Sequence, residues 1–395
     1  MKFMKLTTSI FAAVKSVWTR GSPFAALTAL WPTNEEGKYI IQSEGIRLAF
    51  TNHGGALTNL WINDTNGQEI DIVLGLDDAH GYPHMTSNPY LNGVIGRYAG
   101  YMSGASYEVD GTEYQVLANA HNGTSMFNGG DEGWGRQTWD IATHINNSIT
   151  FVLFDRRWNG FPGIFASCLT HTVTPYEWRI AFGVTPLLKP GPINLSQQVF
   201  FNLDGFRSNS SNKILGHKLR LPKAGMRFDV DKLGIPTGDF KGVKKGGEYD
   251  FWSKSRPVGD GFPTKCEESG DNDCPIDTTY QLSHKQPGDK EDSPAAILSS
   301  AHSGITLEIH TDQDALHVQT WSDKQGDVSL KKSQGGGKVL PHAAISLEMQ
   351  DWPDAVNHPE WRNRKTIWGM DGLYTSFATY KFSVEGREKT SPAEL

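Results

Sequence analysis

The stretch ISLEMQ at residues 345–350 decides how this chain folds, because apolar and polar side chains alternate through it without a break. In an extended strand, successive side chains point to opposite faces. One face of this strand is therefore apolar, and the other carries Ser346, Glu348 and Gln350. Such a strand packs one side against a core and presents the Glu348 carboxylate from a rigid sheet.

The same period of two recurs along the chain and predicts an all-β protein. It is clearest in WRIAFGV at residues 178–184 and in ITLEIH at residues 305–310. The 42 Gly and 20 Pro residues fall mostly between these runs, as the turns of a sandwich require. No long amphipathic helix and no internal repeat interrupts the pattern. Further strands are predicted at residues 150–154, 164–173, 218–221, 315–321, 344–350 and 374–384.

Composition excludes several classes of function. The 395-residue chain has 37% hydrophobic and 21% charged residues, so it can bury a sizeable core as one large domain. A net charge of -7 without a basic stripe argues against nucleic acid and favours a neutral ligand. No apolar run reaches the roughly 18 residues of a membrane span. The three cysteines do not have the spacing of a zinc site, and no cofactor is predicted.

The chain divides into a leader and one domain. Residues 1–30 begin with a basic, then apolar stretch that is typical of a signal segment and predicts secretion, with a cytoplasmic location as the alternative. Residues 40–390 form the β-sandwich domain, and residues 241–275 are a polar, elaborated surface loop within it. In an oxidising compartment we expect a disulfide between Cys266 and Cys274 in this loop. Glycosylation sequons begin at Asn63, Asn122, Asn146, Asn194 and Asn209.

Ordered short motifs run along most of the chain, from about Gly45 to Val384. Together they resemble the aldose 1-epimerase (galactose mutarotase) family, and several in the same order are far more specific than any one alone. The motifs are NPY at 88–90, GR at 96–97, FNGG at 127–130, PINLSQQVFFNL at 192–203, IPTG at 235–238, ID at 276–277, TDQ at 311–313 and ISLEMQDWPDAVNHP at 345–359.

The resemblance implies a galactose mutarotase-like β-supersandwich with a hexose in an open cleft, and an isomerase that needs no cofactor. Glu348 would be the general base that accepts the proton of the anomeric hydroxyl. Arg97 and Asp277 would hydrogen-bond sugar hydroxyls. The ring then opens, the bond between C1 and C2 rotates, and closure gives the other anomer.

The chain departs from the family at the two positions that carry histidine there. Gln198 occupies the position of the catalytic acid, and Asn128 occupies the second one. Amides donate hydrogen bonds but release no proton at ordinary pH. His84 and His121 lie in loops next to family motifs and are candidates to replace the acid. Two main hypotheses remain open: an aldose 1-epimerase with a rearranged acid, and a secreted, catalytically impaired carbohydrate-binding protein that keeps the sugar cleft. A sugar-phosphate epimerase is a weaker third, because a phosphate calls for clustered Arg or Lys and only Arg97 is assignable near the cleft.

Overall fold

The computed structural model describes residues 31–207, 212–263, 274–283, 293–322, 326–361 and 364–386, and these form strands and short 3-10 helices. The strands are β1 (Tyr39–Ser43), β2 (Ile46–Phe50), β3 (Leu57–Asn63), β4 (Glu69–Asp71), β5 (Val94–Ile95), β6 (Tyr101–Ser103), β7 (Ser106–Val109), β8 (Thr112–Gln115), β9 (Ser125–Phe127), β10 (Asp140–Ile145), β11 (Ser148–Asp155), β12 (Ile164–Thr174), β13 (Glu177–Leu188), β14 (Gly191–Pro192), β15 (Ser196–Gln197), β16 (Phe200–Phe201), β17 (Lys218–Arg220), β18 (Met226–Val230), β19 (Pro236–Gly242), β20 (Arg256–Pro257), β21 (Asp277–Gln281), β22 (Ala296–Ser299), β23 (Ile305–Thr311), β24 (Ala315–Thr320), β25 (Ile345–Gln350), β26 (Ile367–Trp368) and β27 (Tyr374–Val384). The 3-10 helices cover Ala79–His84, His121–Gly123, Trp134–Arg136, Trp158–Gly160, Val258–Gly261, Lys332–Gln334, Ala355–Asn357 and Pro359–Trp361.

Two large antiparallel sheets dominate the described residues. The nine-stranded sheet has the order β10-β11-β12-β13-β27-β23-β22-β17-β20, and the six-stranded sheet has the order β16-β25-β24-β21-β18-β19. A four-stranded sheet, β1-β2-β3-β4, lies beside them. The predicted all-β class is therefore confirmed, and every predicted strand is present with ends shifted by at most a few residues.

One hydrophobic core joins the three sheets. It contains Leu48 of the four-stranded sheet, Phe182 and Tyr380 of the nine-stranded sheet, and Leu347 of the six-stranded sheet. Tyr380 also contacts Phe201 across the interface between the two large sheets, with ring centroids 6.0 Å apart. The apolar face of β25 therefore packs into the core, as its alternation predicts, and this fixes the opposite face as the one that carries Glu348.

The structure bears on the predicted surface loop at residues 241–275 and on the predicted disulfide between Cys266 and Cys274. Residues 241–263 do not lie wholly on the surface, since Phe251 and Val258 are fully buried in the common core. Within the described residues Cys274 is disulfide-bonded and Cys168 is free. The predicted partner, Cys266, lies outside the described residues, as does the leader at residues 1–30.

The sequon at Asn194 is not a glycosylation site in this fold. Its side chain is only 2% exposed, and its Oδ1 atom accepts a hydrogen bond from the backbone N–H of Asp351 at 2.9 Å. A glycan needs an exposed acceptor. Asn209 lies outside the described residues. Asn122 and Asn146 are exposed, so those sequons stay predictions.

Arg97, which is expected to contact the substrate, has a buried side chain with partners inside the protein. Its guanidinium is wholly buried and forms an ion pair with Asp155 at 2.7 Å. It also stacks over the ring of Phe165, at 3.9 Å from the ring centroid. Asp155 accepts a second hydrogen bond, at 2.9 Å, from the indole N–H of Trp134. The structure thus gives Arg97 a partner inside the protein, and its contact with a sugar stays a prediction.

We expect Arg97→Met to lower the free energy of unfolding by about 3–5 kcal/mol, because Asp155 would be left as an uncompensated buried charge. The matched control is Arg47→Met, which breaks an exposed ion pair with Glu69 and should change stability by less than about 1 kcal/mol. Urea denaturation followed by tryptophan fluorescence measures both variants. If Arg97→Met instead leaves stability unchanged and abolishes sugar binding, Arg97 binds the ligand.

Candidate active site

Glu348 lies on β25, the second strand of the six-stranded sheet, on the face that turns away from the core. Its side chain is only 3% exposed. The hydroxyl of Ser346, two residues earlier on β25, donates a hydrogen bond to its Oε1 atom at 2.9 Å. Residues two apart on a strand share a face, so this bond confirms that the polar residues of the stretch point the same way. The carboxylate is therefore held in one orientation from its own strand.

Gln198 holds the same carboxylate oxygen from a second element. It lies in the link between β15 and β16, where its backbone N–H donates to the carbonyl of Gly93 at 3.1 Å. Its side-chain amide N–H donates to Oε1 of Glu348 at 3.2 Å. The sequence prediction that Gln198 and Glu348 share a site is therefore matched by direct contact. The amide orients the carboxylate but supplies no proton to a substrate.

His317 faces Glu348 from the neighbouring strand. The two residues are direct partners in the antiparallel register of β24 and β25. Side chains opposite each other on one sheet face have Cβ atoms about 4.5–5.5 Å apart. The imidazole Nδ1 lies 3.0 Å from the hydroxyl of Thr279 on β21, the next strand of the sheet. His317 therefore lies on the strand between β25 and β21, and the hydroxyl of Thr279 holds one side of its ring.

Asp277 completes the group from β21. One carboxylate oxygen lies 3.4 Å from Nε2 of His317, and the other accepts a hydrogen bond from the amide of Gln319 at 3.3 Å. Side-chain exposure rises across the strands, from buried Glu348 to 22% for His317 and 52% for Asp277. The site therefore opens to solvent at Asp277, where a ligand can enter and meet its carboxylate.

The environment of Glu348 shifts its proton affinity. Burial raises the pKa of the Glu348 carboxyl above its usual range. The positive charge of His317 and the hydrogen bonds from Ser346 and Gln198 work against that rise in pKa, while the charge of Asp277 adds to it. A carboxylate with a raised pKa is a better proton acceptor than an ordinary one. The site thus combines a buried carboxylate with an imidazole at the facing position of the next strand.

Two predicted ligand-binding residues do not join this group. Arg97 is held in the core by Asp155, as described above. Asn128 lies in the left-handed backbone region at φ 50°, which Asn tolerates better than most residues. Its Oδ1 atom accepts a hydrogen bond from the backbone N–H of Gly100 at 2.9 Å. The side chain of Asn128 therefore braces a loop, and the substrate-binding role expected of it stays a prediction.

The histidines that the sequence suggested as replacement acids lie elsewhere. His84 is exposed at the end of a 3-10 helix. His121 packs against the ring of Tyr101 and lies 3.2 Å from the hydroxyl of Ser125. No recorded contact among the described residues joins either histidine to Glu348. His317 was not singled out from the sequence, although its alternation with Leu316 and Val318 places it on the polar face of a predicted strand.

The described residues offer no cluster of three or more side chains placed to hold a metal ion. In the same part of the chain, no helix has the length and apolar character needed to cross a bilayer.

Comparison with known proteins agrees with this architecture. The family model described as Aldose 1-epimerase matches residues 37–367. Epimerase FSL3 of Gibberella zeae is 60% identical over 407 residues, which span 98% of this chain and 93% of that protein. Galactose mutarotase of Bos taurus is 30% identical over 349 residues, spanning 88% of this chain and 94% of that protein.

Among solved structures, the GalM/aldose epimerase homologue from C. elegans shares the fold. Its TM-score is 0.76 at 23% identity, over 88% of this chain and 99% of that one. The fold is thus the expected galactose mutarotase-like β-sandwich. With a family match over most of its length and relatives that it covers almost fully, this chain belongs to the aldose 1-epimerase family.

Proposed function

We propose that this protein interconverts the α and β anomers of a hexose by opening and closing the sugar ring, with Glu348 as the general base. The observation that carries the proposal is the buried carboxylate of Glu348, held by Ser346 and Gln198 on the polar face of the sheet. Ring opening begins when a base takes the proton of the anomeric hydroxyl. Several relatives are named galactose mutarotase, which favours a hexose as the substrate.

The polar groups around Glu348 suit a sugar. The Oε1 atom of Gln198 is buried and accepts no hydrogen bond from the described residues. Since the amide N–H of Gln198 points to Glu348, its oxygen is free to accept a hydroxyl of the substrate. Asp277 offers a half-exposed carboxylate at the open side of the group. A neutral, hydroxyl-rich ring can satisfy both acceptors without bringing in a charge.

Replacing the base should abolish catalysis. We expect Glu348→Gln to reduce mutarotation of freshly dissolved α-glucose and α-galactose to the spontaneous rate, because the anomeric proton loses its acceptor. Polarimetry with purified protein measures the rate, and calorimetry measures binding of the same sugars. Gln is close in shape to Glu and can still accept the hydrogen bond from Ser346, so binding should survive.

Glu308→Gln, on β23 of the nine-stranded sheet, is the matched control and should keep the wild-type rate. A Glu348→Gln variant as fast as wild type would place the base elsewhere. A wild-type protein that binds these sugars but leaves their mutarotation at the spontaneous rate would favour the alternative, a carbohydrate-binding protein without catalysis.

The buried base should also reduce stability at neutral pH. Because burial raises the pKa of Glu348, the folded state binds more protons than the unfolded state between the unfolded and folded values of that pKa. Stability contributed by this group therefore falls as pH rises from about 4, near the unfolded pKa, through the folded pKa. We expect Glu348→Gln to be more stable than wild type at pH 7, with a smaller difference at pH 4.

Urea denaturation at several pH values measures this difference in the free energy of unfolding. Glu308, which is partly exposed, serves again as the control. The difference in the free energy of unfolding between Glu308→Gln and wild type should not increase from pH 4 to pH 7. If Glu348→Gln is instead less stable than wild type at pH 7, the groups around Glu348 stabilise its charged carboxylate by more than burial destabilises it.

A further inference from the structure

We propose that His317 is the general acid of this protein, donating a proton to the ring oxygen of the sugar while Glu348 accepts the proton of the anomeric hydroxyl. The inference rests on the proposed function and assigns the role that Gln198 cannot fill. It places acid and base on adjacent strands of one sheet, instead of on separate loops.

The register of β24 and β25 brings the two groups together. His317 and Glu348 are direct Cα partners across this antiparallel pair. The anomeric hydroxyl and the ring oxygen are both bonded to C1 of the sugar. An acid and a base that act on them must therefore lie within one sugar ring of each other, and facing residues of neighbouring strands satisfy that requirement. The contribution of His317 to the pKa of Glu348 shows that the two groups interact electrostatically.

The two nitrogens of the His317 imidazole have different surroundings. Nδ1 lies at hydrogen-bond distance, 3.0 Å, from the hydroxyl of Thr279, which fixes the plane of the ring. Nε2 lies 3.4 Å from the carboxylate of Asp277, at the side where the site opens to solvent. A sugar that enters at this open side can meet Nε2 in place of the Asp277 carboxylate and take its proton. Asp277 then acts as a positioning group for the imidazole as well as an acceptor for a sugar hydroxyl.

The neighbouring groups do not compete for this role. Gln198 and Asn128 carry amides, which release no proton at ordinary pH. His84 and His121 have no recorded contact with Glu348 among the described residues. An imidazole is the side chain that most readily exchanges a proton near neutral pH. His317 therefore combines suitable chemistry with direct proximity to the base.

The proton transfers balance over one cycle. Glu348 takes the proton of the anomeric hydroxyl, the bond between C1 and the ring oxygen breaks, and the imidazolium of His317 protonates that oxygen. The open-chain aldehyde then rotates about its C1–C2 bond. On closure His317 takes back the proton as the ring oxygen attacks C1, and protonated Glu348 returns its proton to the carbonyl oxygen. Both groups end as they began, and no co-reactant is needed.

His317→Gln tests the assignment, because Gln keeps hydrogen-bonding groups at this position but cannot release a proton. We expect kcat for mutarotation of α-glucose and α-galactose to fall by about 10²–10⁴, the usual contribution of general acid catalysis. The calorimetric Kd for the same sugars should change by less than about threefold, since the base and Asp277 remain. His310→Gln, on β23 of the nine-stranded sheet, is the matched control and should keep the wild-type rate.

The pH profile of kcat/KM separates a catalytic histidine from a structural one. In wild type, deprotonation of Glu348 should produce the rising limb and deprotonation of His317 the falling limb at higher pH. Glu348 on β25 and Asp277 on β21 are the charged groups that face His317 from the two adjacent strands. We expect His317→Gln to lose the falling limb and to keep the rising one.

The possible results are distinguishable. If wild type is active and His317→Gln keeps its rate, or slows but retains the falling limb, the assignment of His317 is wrong while the proposed function stands. If wild type does not accelerate mutarotation of either sugar, the proposed function fails and the assignment fails with it. A slower His317→Gln variant that binds sugar and lacks the falling limb supports both.

Discussion

The antiparallel pairing of β24 with β25 is the constraint on which the candidate site depends. It sets His317 opposite Glu348 and, through the next pairing, brings Asp277 and Thr279 of β21 alongside. A slip of one residue in this register would move every polar side chain of one strand to the core face. The register is held by the apolar face of the same strand, where Leu347 packs into the core common to the sheets. The same strand register therefore determines both the packing of the core and the geometry of the site.

Burial of Glu348 raises its affinity for a proton and also lowers the stability of the fold. A carboxylate removed from water is destabilised, and the hydrogen bonds from Ser346 and Gln198 offset only part of this effect, because the pKa of Glu348 remains raised. The buried pair of Arg97 and Asp155 shows the contrasting solution, in which a cation compensates the charge directly. Among the described residues Glu348 forms no close ion pair, and the charge of His317 offsets only part of the effect of burial on its pKa. This partial neutralisation suits a group that must accept a proton.

The sequence predicts the strands and the face of Glu348 because both follow from a local period of two. Ser346 is placed beside Glu348 by the same rule, and their hydrogen bond confirms it. The partner across the sheet cannot be found in this way, since β24 and β25 are separated by residues 321–344 and no tight turn sets their register. The ion pair of Arg97 cannot be predicted from the sequence for a related reason: its partner Asp155 lies 58 residues away, and no local pattern indicates that pairing.

The replacements at Gln198 and Asn128 gain a physical explanation from this arrangement. Gln198 remains beside the base and donates a hydrogen bond to it, so the position still contributes to the site without exchanging a proton. The side chain of Asn128 accepts a hydrogen bond from the backbone N–H of Gly100 and so supports a loop. Proton transfer requires only that an ionisable group reach the ring oxygen while another reaches the anomeric hydroxyl. A histidine one strand away from the base meets that requirement from a more rigid position than a loop, because its backbone is fixed by hydrogen bonds to strands on both sides. The same sheet that presents the base can therefore present the acid.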